Sequence, residues 1–231
     1  MLYDDWEPVY ESIRSAFGYD RAGDEKARDR LGTLLTDRDP LAVEAVELGG
    51  TVAVCGGAST LRSELEVVRS ADHVVAASNA AAVCSEQGVA VDCMVTDLDK
   101  TPETAKRLTD RGVAVAVHAH GDNVGSIEEH VPTFESEAVL PTTQAAPASP
   151  VVNLGGFTDG DRAAFLADHC GADELVFAGW DFDDPDVSPE KARKLRWAER
   201  LLLWLEDRRD ERFSLLDGRR GRIDRVWEEI A

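Results

Sequence analysis

Residues 51–99 read TVAVCGGASTLRSELEVVRSADHVVAASNAAAVCSEQGVAVDCMVTDLD. Three short apolar runs lie in this stretch: TVAVC, HVVAAS and VDCMVTD. The first leads through glycines into STLRSELEVVRSA, which reads as a helix opened by a Ser cap, and the second into the short helix NAAAVCSEQG. Continuous rather than alternating apolar runs suit strands covered on both faces. Helices between them supply the crossovers of a parallel sheet.

The same rhythm continues downstream. TPETAKRLTDRG reads as a helix, with Pro102 in its first turn and Gly112 at its end. VAVAVHAH is a strand, VGSIEEHV a short helix, and EAVLPTTQ a further strand. VVNLGGF followed by DGDRAAFLADHCG reads as strand, turn and helix, and ELVFAGWDF closes the series. The expected class is α/β: a mostly parallel, Rossmann-like central sheet over residues 49–185, with helices on both faces. Residues 1–48 read as a helical N-terminal region, in which WEPVYESIRSAF and PLAVEAVEL are joined by a charged, Gly-containing connection. Residues 186–231 read as a C-terminal helical region. Its long helix places Leu195, Ala198, Leu202 and Leu205 on one face, to pack on the same domain or, alternatively, to pair two copies as a homodimer.

Composition narrows the function classes. The 231 residues carry a formal net charge of −20, and their cations are mostly Arg, with Lys scarce. Acids spread along the whole chain imply a surface adapted to high salt, hence a halophilic source, and argue against nucleic-acid binding, which needs a basic face. No run of eighteen apolar residues and no basic-then-apolar N-terminus is present, so a cytoplasmic protein with no membrane partner is expected. Cys55, Cys84, Cys93 and Cys170 form no C-x-x-C pair and read as reduced core residues.

In a parallel sheet, ligands bind beyond the carboxyl ends of the strands. The polar residues here fall at those ends: Gly56, Gly57 and Ser59; Ser78 and Asn79; Asp97, Asp99 and Lys100; His118, His120, Asp122 and Asn123; Thr158, Asp159, Asp161 and Arg162; then Asp181. Gly56-Gly57 suits either close approach of a phosphate or a tight turn. There is neither G-x-x-x-x-G-K-[ST] nor G-x-G-x-x-G. Asp97 and Asp99, two apart on an extended chain, would point the same way and need a cation between them; Mg²⁺ suits such oxygens. The alternative is a cap at Asp99 and a solvated Asp97. HAHGDN admits zinc, but Asp122 as a carboxylate for Mg²⁺ or a substrate hydroxyl, with the histidines lining the pocket, fits the phosphate-directed surroundings better. Thr158 or Asp159 can cap the helix that follows. Arg162 in its first turn opposes the helix dipole and is expected to meet an anion or a carboxylate.

The succession VCGGAS, AASNAAA, VTDLDK, HAHGDN and GGFTDGDRA, spanning Thr51 to Asp183, resembles the archaeal 6-hydroxymethyl-7,8-dihydropterin pyrophosphokinase family, whose members are related to a domain found in motility-associated proteins. TDLDK is more distantly similar to the strand-ending G-D-F-D-S of thiamine pyrophosphokinases, and His120-Gly121-Asp122 to their H-T-D. Thr, Lys and Gly stand here for Gly, Ser and Thr. The resemblance implies a thiamine-pyrophosphokinase-like catalytic fold and Mg²⁺-dependent transfer of diphosphate from ATP to a reduced hydroxymethylpterin, with release of AMP, in folate- or tetrahydromethanopterin-type biosynthesis. It implies that Asp97, Asp99 and Asp122 hold metal and serve catalysis, and that Lys100 and Arg162 contact phosphate. Gly56, Gly57, Ser59, Ser78 and Asn79 would line the ATP groove. Asp159 or Asp161 would bind the pterin's amino-pyrimidine edge, beside His118, His120, Asn123 and Thr158. A diphosphokinase for another heterocycle, or a sugar-nucleotide module of a glycosylation system, are the alternative readings.

Overall fold

TVAVC forms strand β1 (Thr51–Cys55), and HVVAA and CMVT form β2 (His73–Ala77) and β3 (Cys93–Thr96), in a computed structural model that describes residues 1–230. Three further strands, β4 (Ala114–Ala119), β5 (Val139–Thr143) and β6 (Glu174–Ala178), complete a sheet of order β5-β4-β3-β2-β1-β6 in which every pairing is parallel. The two-residue period of each strand divides its side chains between two cores. Val52, Val54, Val75, Val95, Ala116 and Leu140 face one, and Ala53, Cys55, Ala76, Met94, Val115 and Val117 face the other.

The first core is covered by α1 (Tyr3–Phe17), α7 (Asp159–His169) and α8 (Pro189–Arg209), where Trp6 and Phe165 pack on Trp204 with ring centroids 6.5 and 6.1 Å apart. The long helix α8 thus packs on its own domain, and Glu199 and Glu206, the acids within its buried stretch, are paired by Arg219 and Arg220. The second core is covered by α2 (Arg21–Leu35), α3 (Leu65–Ser70), α4 (Asn79–Glu86), α5 (Pro102–Thr109) and α6 (Val124–His130). All four cysteines are free thiols; Cys55, Cys84 and Cys93 are buried and Cys170 is half-buried. No helix among the described residues is long and apolar enough to cross a membrane.

Four elements depart from expectation. The supposed connection after residue 20 is helix α2: Ala27, Leu31 and Leu35 recur at four-residue spacing and are fully buried. Burying two leucines contributes roughly 4 kcal/mol, which exceeds the cost of about 1 kcal/mol for each of Gly23 and Gly32. PLAVEAVEL is not a helix but an extended brace along the sheet, with one 3₁₀ turn at Val43–Ala45. Leu41 N–H donates to Val139 O at 2.9 Å and Leu48 N–H to Cys170 O at 2.9 Å. STLRSELEVVRSA splits into a 3₁₀ turn, Ser59–Ser63, and α3, with no side-chain cap from Ser59. VVNLGGF forms only isolated bridges. Gly155 and Gly156 adopt φ of 85° and 90°, and a side chain on Gly156 would strike the Arg162 backbone at 2.6 Å, so this segment is spent on delivering the chain to α7.

Candidate active site

The carboxyl ends of the strands open into one groove with two lobes. The smaller, about 230 Å³, lies at the ends of β1, β2 and β6 and is lined by Gly56, Gly57, Ser78, Asn79, Trp180 and Leu195, among others. Here the order of strands reverses between β1 and β6, the usual place for a crevice in such sheets. The larger lobe, about 350 Å³, lies at the β4 and β5 ends, walled by Tyr19, Asp24, His120, Gln144 and Phe157. Lys100, Thr158, Asp159 and Lys191 line both lobes and mark their junction.

At the junction the carboxylates of Asp97, Asp99 and Asp159 each present an oxygen within 4.8 Å of the others. Asp97 and Asp99 do not converge as alternate residues of an extended strand. β3 ends at Thr96, whose Oγ1 accepts from Leu98 N–H at 2.9 Å; Leu98 turns to φ 66°, and Asp97 Oδ1 accepts from Asp99 N–H at 3.1 Å. A left-handed leucine costs on the order of 1 kcal/mol; its burial in the second core holds it there. Ser78, with φ 50° ahead of α4, is a second strained residue on the same rim.

Three clustered acids cannot all ionise cheaply. Burial works to raise the Asp97 carboxyl, but hydrogen bonds from His120 (Nε2 to Oδ2, 3.4 Å) and Asp99, with the Arg162 charge, outweigh it and hold it well below the usual range. Asp99 is raised by burial and then by Asp97. Asp159 is pushed up to about 7 by burial first and the Asp97 charge second, against the pull of Arg162. An all-oxygen donor set with surplus negative charge fits a hard divalent cation such as Mg²⁺.

A chain of buried side chains supports the cluster from behind. Arg162 Nη1 donates to Asp159 Oδ1 at 3.1 Å and its Nη2 to Gln144 Oε1 at 3.1 Å. Gln144 Nε2 donates to Asp24 Oδ2 at 2.9 Å, which also accepts from Tyr10 Oη–H at 2.6 Å. Asp24 Oδ1 accepts from Gly121 N–H at 2.7 Å, tying α2 to the HAHGDN loop. Gly23 keeps this crossing close, since a Cβ there would lie a tight 3.3 Å from Gly121 Cα.

A sequence model of the family described as "6-hydroxymethylpterin diphosphokinase MptE-like" matches residues 34–187. The chain belongs to this family. It is 36% identical to the 6-hydroxymethyl-7,8-dihydropterin pyrophosphokinase of Methanothermobacter thermautotrophicus, over 90% of this chain and 97% of the relative. The enzyme of the same name from Pyrococcus furiosus is 35% identical, over 90% of this chain and 95% of its own length. That of Methanocaldococcus jannaschii is 27% identical, over 88% and 95%. The chain is accordingly an enzyme of the diphosphotransferase class.

Within this MptE-like chain the groove gathers most of the expected site residues and excludes several. Gly56, Gly57, Ser78 and Asn79 line the smaller lobe; His120 and Asp122 line the larger. The third carboxylate of the cluster is Asp159, not Asp122, which sits exposed on the rim; the α7 N-terminus reaches over β3 and the HAHGDN loop does not. Asp161 does not face the heterocycle lobe: fully buried, it accepts from the backbone N–H groups of Phe157 and Thr158 and from Thr158 Oγ1, and so caps α7. His118 is also withdrawn. Its Nδ1 meets Thr142 Oγ1 at 3.0 Å, and burial, then Arg162, keeps the imidazole neutral. Asn123 is structural, donating from Nδ2 to the Asp97 and His118 carbonyls at 2.9 and 2.7 Å. Ser59 is exposed and reaches neither lobe. Arg162, 6% exposed, spends its Nη donors on Asp159 and Gln144; it is a carboxylate partner before it is a phosphate contact.

Sequence reasoning missed Tyr19, Asp24, Gln144, Phe157, Trp180, Lys191 and Lys194. A signal existed for Asp24, an acid set in the apolar stripe shared with Ala27, Leu31 and Leu35. None existed for Gln144, whose place depends on the end of β5.

Proposed function

We propose that the enzyme transfers the β,γ-diphosphate of ATP to the hydroxymethyl oxygen of 6-hydroxymethyl-7,8-dihydropterin, giving the pterin diphosphate and AMP. The observation that carries this reading is the carboxylate cluster at the junction of two lobes of unequal character. The smaller lobe, with glycines at the β1 end and Trp180 beside them, suits the nucleoside. Gly56 is required where its Cβ would meet Gly179 O at 2.5 Å. The larger lobe suits a flat bicyclic acceptor: Tyr19 and Phe157, ring centroids 6.4 Å apart, offer apolar faces, and Asp24 and Gln144 offer hydrogen-bonding groups. The names of the relatives point to the same acceptor.

Mg²⁺ held by Asp97, Asp99 and Asp159 would neutralise charge on the triphosphate and fix its geometry. The protein's own part is to hold both reactants in line. The acceptor oxygen forms a bond to the β-phosphorus, the bond from that phosphorus to the α,β-bridging oxygen breaks, and the electron pair leaves with AMP. The hydroxyl proton passes to a carboxylate oxygen of the cluster. Arg162 and Gln144 keep Asp159 aimed meanwhile.

The test is AMP formation from ATP and Mg²⁺ with reduced hydroxymethylpterin, with thiamine, and with no acceptor. The reading expects AMP with the pterin alone. Equal rates with thiamine would assign another heterocycle, and no acceleration by either would sink the diphosphokinase reading.

A further inference from the structure

The chain contains 20 arginines and only five lysines, and three of the five, Lys100, Lys191 and Lys194, line the groove. The arginines are largely committed to carboxylates elsewhere; Arg209, for example, pairs with both Asp168 and Glu211. Of the remaining lysines, Lys106 pairs with Asp110 at 2.7 Å and Lys26 is exposed on α2. Among the described residues, neither Lys100 nor Lys191 makes an ion pair, although the three carboxylates of the junction stand close by; Lys194 meets Glu190 at 3.2 Å. Lys100 and Lys191 act on the acid cluster only through space, lowering the Asp99 carboxyl, and their ammonium donors are not engaged by an ion pair.

Their positions follow from two elements. Lys100 leaves the β3 turn directly after Asp99. Lys191 and Lys194, one turn apart on α8, face the groove together, with α8 held at its start by Ser188, whose Oγ accepts from Lys191 N–H at 3.2 Å. Lys100 and Lys191 line both lobes, whereas Lys194 lines only the acceptor lobe. Two ammonium groups brought together at the junction repel each other until an anion lies between them. A chain of net charge −20 also repels a polyphosphate unless cations are concentrated at its site. Lysine, a compact charge with three rotatable donors, can follow a phosphate that moves.

We propose that Lys191, with Lys100 and Lys194, forms a clamp for the transferred diphosphate, gripping it both on ATP and on the acceptor. Lys100 and Lys191 meet it at the junction, and Lys194 meets it once it is bonded to the acceptor oxygen. This assignment rests on the diphosphokinase reading. It places a working part of the site on α8, beyond the residues matched by the family model.

The test compares binding of a non-hydrolysable ATP analogue and of AMP, with Mg²⁺ and at one fixed KCl concentration, in wild type, Lys191→Gln, Lys191→Arg and the double variant Lys191→Gln/Lys194→Gln. Lys191 is exposed, so each variant should keep the wild-type melting temperature. The clamp requires at least tenfold weaker binding of the analogue by Lys191→Gln with AMP changed less than twofold, partial recovery in Lys191→Arg, and no further loss of the analogue in the double variant, because Lys194 lines only the acceptor lobe. Unchanged affinity for the analogue, or equal losses for analogue and AMP, would overturn it. Wild type that bound no nucleotide would overturn the clamp together with the diphosphokinase reading.

Discussion

Asp159 and Arg162 meet at 3.1 Å within the first turn of α7, and their pairing aims the Asp159 carboxylate at Asp97 and Asp99. The helix would otherwise carry a cation where its dipole disfavours one. Arg162→Gln should leave Asp159 without its charge partner, weaken Mg²⁺ binding and lower kcat by at least tenfold. Arg162→Lys should recover part of the loss, because a charge remains. Calorimetric Mg²⁺ titration of the three proteins checks this.

Stability of the metal-free protein should depend on pH through Asp159. Its carboxyl stands at about 7 in the folded chain against an ordinary value of 3.8, so the folded state binds more protons between those limits. The contribution of Asp159 to stability is full below the lower limit and falls as pH rises toward 7, by on the order of 4 kcal/mol. Urea denaturation with a chelator at pH 5 and 7.5 should show the decline, and Asp159→Asn should abolish most of it. An undiminished slope in the variant would assign the titration elsewhere.

Asp24 gathers donors from Tyr10, Gln144 and Gly121 and makes no ion pair among the described residues. Asp24→Ala should cost about 2–4 kcal/mol, since three donors, two of them buried, lose their acceptor. Asp24→Asn, which loses less, should raise KM for the acceptor several-fold while leaving KM for ATP near wild type. Equal effects on both would separate Asp24 from the larger lobe.

Gly56→Ala should destabilise by roughly 1–3 kcal/mol, because the added Cβ would lie 2.5 Å from Gly179 O where β1 and β6 meet. Its KM for ATP should rise more than its KM for the acceptor. A thermal melt and a two-substrate kinetic series read both effects.

The sheet was legible in the sequence because its strands are apolar on both faces, a pattern that depends on local order alone. Helix α2 was not, because Ala27, Leu31 and Leu35 form a narrow stripe among charges and two glycines, and only the sheet beneath explains it. Strand alternation points to the pair Asp97 and Asp99 but is not what brings them together. They converge through the left-handed turn at Leu98, which no periodicity reveals. The exchange of Asp122 for Asp159 has a similar cause: both follow strand-end loops, and three-dimensional placement alone separates them. Lys191 and Lys194 were hidden by their helix, whose apolar face drew the reading toward packing. The scarcity of lysine was visible throughout, and its concentration at one groove appears only in the fold.

The central claim, transfer of an intact diphosphate across the acid cluster, is tested most directly with ATP labelled at the γ-phosphate. Labelled pterin diphosphate and unlabelled AMP should form in equal amounts, and both should be lost in Asp159→Asn. ADP together with a labelled pterin monophosphate, or labelled inorganic phosphate with no labelled pterin, would contradict it.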